Sequence, residues 1–222
     1  MNALGAILLL AAKDLRIEAR RREAIGLVLV TGLLVVAVLG LGLGPGRSVH
    51  GAGAAAVLWV AYLFGGVLTF EKTFALERHD DALAALLLAP VDRGLIFGAK
   101  LIVNVVLMLA LAAVVTPAAV VLFNFDLAPH AGAFARVMFL GILGFASVGT
   151  LFPAAAASSR PQGGLLALLV FPLTLPLVLV SSQLLNRVFA GAPEGAGTGV
   201  LIAFDVIFVV AGWLLFEFLL EP

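Results

Sequence analysis

Six long apolar stretches run through the chain, at residues 24–43, 52–70, 101–123, 137–157, 165–185 and 200–220, separated by short polar connections. Each is about 20 residues long, which an α-helix needs to cross a hydrocarbon core of about 30 Å. The third has only Asn104 and Thr116 as polar members. None alternates apolar with polar residues, as the strands of a membrane barrel do. The pattern therefore predicts an all-α polytopic membrane protein with six transmembrane helices. A single membrane domain takes up residues 1–222, and little length is left for a soluble one.

Two shorter patterns accompany the spans. Near the start, Leu4, Ile7, Leu8, Ala11 and Leu15 recur at helical spacing on one side, while Lys13, Arg16 and Arg20 lie on another. This predicts an amphipathic helix over residues 1–23, lying in the membrane interface with its basic face toward anionic headgroups. The apolar run precedes the charges, the reverse of a signal peptide, so this segment is expected to stay in the mature protein. The second pattern is the longest connection, residues 71–100, EKTFALERHDDALAALLLAPVDRGLIFGAK. Its apolar run at 82–89 is too short to cross, and Pro90 ends it by disfavouring helix in the residue before and lacking a backbone donor. A short helix parallel to the membrane, a turn and then the third span are predicted. Such a helix offers a soluble partner a grip, and an ordinary charged loop fits the same pattern. The turn at 158–164, SSRPQGG, suits a sharp reversal.

Composition narrows the class further. Hydrophobic residues make up 63% and charged residues 12% of the 222, against about 45–50% and about 25% in soluble domains. That excludes an ordinary soluble enzyme, a nucleic-acid-binding domain and a disordered regulator. Positive and negative charges balance at 13 each, so no basic excess draws the chain to nucleic acid. The distribution of positives is lopsided. With six spans, Lys13, Arg16, Arg20, Arg21, Arg22, Lys72, Arg78, Arg93, Lys100 and Arg160 share one side, and Arg47, Arg136 and Arg187 the other. The positive-inside rule then places both termini in the cytoplasm. There are no cysteines, which removes disulfides, thiolate catalysis and thiolate-held metals.

Candidate chemistry is sparse. Polar residues within the spans are Asn104, Thr116, Ser147, Thr150, Thr174, Ser181, Ser182, Gln183 and Asp205, and such groups are costly in lipid. Asp205 sits near the external surface, where snorkelling outward is the plainer expectation and ligand binding the sharper one. His50 and His130 fall on the external side without a partnered metal motif, so solvated side chains are expected, although histidine can ligate haem iron. Gly144–Thr150, GFASVGT, has the glycine spacing of a phosphate loop but lacks its lysine and preceding strand. No catalytic or metal-binding constellation emerges, and a non-catalytic membrane subunit is expected. Pro117, Pro153, Pro172 and Pro176 and the glycine pairs 40/44, 65/66 and 141/144 fit either tight packing or a bundle that changes shape.

Together, the basic interfacial helix, the six spans and the long first cytoplasmic connection resemble the permease subunits of ABC-type exporters. More narrowly, Lys13–Arg22 (KDLRIEARRR), Trp59, Phe70–Lys72 (FEK), Leu86–Pro90 (LLLAP), Ile96–Lys100 (IFGAK) and Phe171–Val178 (FPLTLPLV) resemble the haem exporter B (CcmB) family of cytochrome c maturation. The resemblance implies a permease in the bacterial cytoplasmic (inner) membrane, two copies of which associate with two copies of a CcmA-like ATPase. It also implies CcmC-like and CcmD-like membrane partners, and work on haem delivery to the chaperone CcmE, as haem export or as release of haem-loaded CcmE. ATP would be bound and hydrolysed on the partner, no cofactor would be held by this chain, and haem would be a handled ligand. The 71–100 connection would carry a coupling helix that docks on the ATPase through Glu71, Glu77, Asp80, Asp81, Leu86, Leu87, Leu88, Pro90 and Asp92. A permease for another substrate, such as a drug or lipid, and a non-transporting assembly scaffold are the alternatives the spans leave open.

Overall fold

The protein is described by a computed structural model covering residues 3–20, 22–42, 51–79, 92–124, 126–157, 165–193 and 195–219. These residues form seven α-helices: α1 Ala3–Arg20, α2 Arg22–Gly42, α3 Gly51–His79, α4 Arg93–Phe123, α5 Ala131–Ala157, α6 Leu165–Phe189 and α7 Gly197–Leu219. A single 3-10 turn, Ala128–His130, precedes α5. All-helical structure is what lipid demands of continuously apolar segments, because each helix satisfies its own backbone.

Five helices carry windows long and apolar enough to cross a membrane: Ile25–Gly42, Gly53–Thr73, Arg93–Phe123, Ala128–Phe152 and Gly197–Phe216. The sequence pattern predicted six. The sixth predicted stretch also forms a helix, α6, which runs unbroken from Leu165 to Phe189. Boundaries differ too. Helix α3 continues past residue 70 to His79, and α4 begins at Arg93 rather than near 101. The short helix predicted over 82–89 lies outside the described residues. Prolines do not break the helices: α4 runs through Pro117 and α6 through Pro172 and Pro176. Between the last two, Thr174 donates its hydroxyl to the carbonyls of Val170 (2.9 Å) and Phe171 (3.2 Å).

Helix α4 is central and packs against α1, α2, α3, α5 and α7. Because lipid is as apolar as leucine, close helix contact in a membrane depends on small residues and shape. Two reciprocal interlocks supply it. On α3 and α5, Phe145 fills the space beside Gly66 while Phe70 fills the space beside Gly149. The two rings meet edge to face at 5.0 Å. On α4 and α7, Trp213 covers Gly94 and Phe97 covers Gly212. Large apolar side chains instead line the outside: Leu27, Val30, Leu34, Val38 and Leu41 form one exposed stripe on α2.

Helix α1 departs from the expected orientation. Leu4 and Leu8 are exposed, but Ala11 is buried against Ala99 and Val103 of α4, with Ile7 and Leu15 packed beside them. The apolar side expected to meet lipid is partly a protein contact.

Candidate functional site

The segment predicted to meet a partner enters the bundle at two points, the end of α3 and the start of α4. Glu71 is half-buried on α3, and Glu77 lies in the same helix near its end. Asp80, Asp81, Leu86, Leu87, Leu88 and Pro90 lie outside the described residues. Asp92 is described, and its role is local. It is the N-cap of α4, its carboxylate accepting from the Gly94 amide at 2.9 Å, which satisfies a donor the helix cannot pair and places negative charge at the positive end of its dipole.

From that cap, α4 passes three layers of contacts. The first is steric. At Gly94 a Cβ would lie 2.6 Å from the Trp213 indole, and at Gly98 it would lie 3.3 Å from both Ile7 and Trp213. The second is ionic. Lys100 Nζ reaches Asp14 Oδ2 of α1 at 2.7 Å, with the two side chains 5% and 13% exposed. The third is a hydrogen-bonded crosslink. Asn104 Oδ1 accepts from Thr73 of α3 (3.1 Å), and its Nδ2 donates to Thr150 Oγ1 of α5 (2.9 Å). Thr73 shares its proton with the Thr69 carbonyl, and Thr150 donates to the Ala146 carbonyl. Asn104 is thus paired on both sides in an apolar setting, where an unpaired amide would be costly. Lys100 thus ties α4 to α1, and Asn104 ties it to α3 and α5. Sequence reading noted Asn104 only as a polar residue within a span and Lys100 only as a flanking charge. Their partners are 31, 46 and 86 residues away, beyond any local pattern.

Lys13, Arg16 and Arg20 share the outer side of α1 with Leu9, Ala12 and Ile17, around an open depression, and face away from α4. Lys13 also approaches Asp14 at 3.2 Å. Anionic lipid attracts such residues by about 1 kcal/mol each. A fluorophore on Ala12→Cys, unique in a cysteine-free chain, is therefore expected to move to a more apolar environment in anionic than in neutral vesicles. Replacing the three basic residues by Gln removes that difference. Equal emission in both lipids for the unsubstituted basic face would refute the assignment.

At the opposite end of the bundle, His130 sits half-buried in the 3-10 turn, and His50 lies outside the described residues. Asp205 does not snorkel. It is buried between α7 and α5, with its Oδ1 pointing at Gly144 and neither oxygen hydrogen-bonded among the described residues. It lies about two turns from the start of α7, on the side that α5 covers. Among the described residues, no group of three or more metal-capable side chains occurs.

Sequence comparison finds relatives over nearly the whole chain. A sequence model of the CcmB protein family matches residues 5–216. Heme exporter protein B of Bradyrhizobium diazoefficiens is 25% identical over 213 residues, covering 96% of this chain and 94% of the relative. The protein of the same name from Rhodobacter capsulatus is 29% identical over 181 residues, 80% of this chain and 81% of the relative. That of Haemophilus influenzae is 27% identical over 194 residues, 87% of each.

Proposed function

The chain belongs to the CcmB family, and on that premise we propose that it is the permease subunit of an ABC-type complex for haem export in c-type cytochrome biogenesis. It does no catalysis itself. ATP is hydrolysed on a separate CcmA-like subunit, two copies of each chain assemble, and CcmC-like and CcmD-like proteins join them. The work done is export of haem or release of a haem-loaded CcmE-like chaperone.

The observation that carries this reading is the family match from residue 5 to residue 216, which includes the 71–100 connection. The geometry beside that connection supports a coupling role. Asp92 caps a 31-residue helix that is pinned to α1, α3 and α5, so a force applied between α3 and α4 has a stiff route into the bundle. On this reading α6 is the sixth span. Its 25 residues extend about 37 Å at 1.5 Å per residue, enough to cross, and both termini face the cytoplasm.

Changing Asp80 and Asp81 together to Lys is expected to weaken co-purification of the ATPase while membrane insertion and yield stay unchanged. Undiminished co-purification would remove the docking assignment. Identification of the co-purifying chains, with absorbance measured for haem, tests the substrate class.

A further inference from the structure

Among the described residues, the buried hydroxyls are paired with one exception. Thr69, Thr73, Ser147, Thr150 and Thr174 each donate to the carbonyl four residues earlier on their own helix. Thr116 pairs with the Tyr62 hydroxyl at 2.7 Å. Ser181 makes no such bond, although it is 0% exposed. Three other buried groups share this condition among the described residues: the indole Nε1 of Trp59, Oδ1 of Asn186 and both carboxylate oxygens of Asp205.

Trp59, Ser181 and Asp205 belong together, whereas Asn186 lies nearer the end of α6. Trp59 lies eight residues from the start of α3, Ser181 eight from the end of α6, and Asp205 eight from the start of α7. At 1.5 Å per residue each is about 12 Å below the same end of the bundle, the end that carries Asn124. All three lean on one face of α5. A Cβ at Gly141 would lie 2.9 Å from Ser181 Oγ and 2.5 Å from the Trp59 ring, and one at Gly144 would lie 2.5 Å from Asp205 Oδ1. Positions three apart on a helix hold their Cβ sites about 5–6 Å apart. Ser181 Oγ and Asp205 Oδ1 therefore stand against neighbouring positions of one helix face, and a water between them would bond to each at about 2.8 Å.

We infer that Trp59, Ser181 and Asp205 form a buried water-binding site on the Gly141/Gly144 face of α5. The donor set fits water. Asp205 accepts, Trp59 donates and Ser181 does either, so the occupant must both donate and accept. The tight approach to both glycines excludes a larger organic group. The burial of all three inside one chain excludes a side chain from a partner helix. The site gives the apolar interior a polar station at one end of the bundle, and it does not depend on the ATPase reading above.

Radiolytic footprinting tests this on the intact protein in lipid nanodiscs, because radicals formed from waters bound in place oxidise the side chains beside them. Trp59 is expected to be oxidised well above Phe70 and Phe145, which are as deeply buried but have no unpaired polar group at hand. Asp205→Leu and, separately, the milder Ser181→Ala lower the Trp59 yield severalfold while leaving the two phenylalanines unchanged. A wild-type Trp59 yield no higher than that of Phe70 and Phe145 means the site is dry and overturns the inference, however the variants behave. Trp59 oxidation that is high but unaffected in a folded Ser181→Ala and a folded Asp205→Leu overturns it equally.

Discussion

Gly149→Val is expected to prevent the chain from being isolated as a monodisperse, folded protein, and Gly149→Ala to give one with a clearly lower unfolding temperature. A Cβ at Gly149 would occupy the space of the Phe70 ring. Phe70 has nowhere to go: it is fully buried and packed edge to face on Phe145, which itself sits in the gap left by Gly66. Overpacking a close-packed core costs about 1–3 kcal/mol and sometimes more. Here the atoms that would have to yield are two aromatic rings and a helix backbone, so the cost falls at the upper end for Val. Thinning the opposing ring should recover part of it. The double variant Gly149→Ala/Phe70→Leu is expected to unfold at a higher temperature than the sum of the two single effects allows, the signature of residues in contact. Size-exclusion profiles and thermal unfolding of detergent-purified protein measure both. A Gly149→Val protein with an unchanged profile and midpoint would mean that α3 and α5 do not interlock at this point.

The interlock illustrates which parts of the fold could be read from the chain and which could not. Apolar runs give helices directly, because their length and lack of alternation leave lipid no other solution. They do not say which side of a helix meets protein. Leucine is equally well accommodated by lipid and by a neighbouring helix, so Leu8 and Ala11 read alike in sequence, although one is exposed and the other buried on α4. The small residues were the available signal: Gly66 and Gly141 mark real contact faces, while Gly26 and Gly132 meet nothing nearby. Charge does not mark a helix end: the uncharged run starts at residue 101, whereas Asp92 is an ordinary N-cap and α4 starts at Arg93. Lys100 enters the bundle beside Asp14, 86 residues earlier in the chain. The depth of Asp205 on α7 likewise says nothing about which helix covers it. For the residues proposed to dock a partner, only Asp92 and Glu71 have described side chains, and Asp92 is committed to capping.

The Asp14–Lys100 pair yields the second large effect, because its loss is asymmetric. Asp14→Ala takes a carboxylate at 2.7 Å away from the Lys100 ammonium, which is 5% exposed. Removing one partner of a buried ion pair costs about 3–5 kcal/mol, whereas replacing both with apolar residues of similar volume is often neutral. Asp14→Ala is therefore expected to lower the unfolding temperature and to loosen α1 from α4, while Asp14→Leu/Lys100→Met restores both. The contact between Ile7 and Gly98, with 3.3 Å from the Gly98 Cβ position to Ile7, provides a local gauge. In a chain without cysteines, cysteines placed at these two positions should be joined rapidly by a short bifunctional thiol reagent. The Asp14→Ala background should slow that reaction, and the double apolar background should not. If Asp14→Ala changes neither crosslinking rate nor midpoint, the pair does not hold α1 in place. If the double variant is as unstable as the single, the contribution of the pair is more than compensation of a buried charge, and α1 owes its position to the ionic contact itself rather than to Ala11 and Ile7 packing on α4.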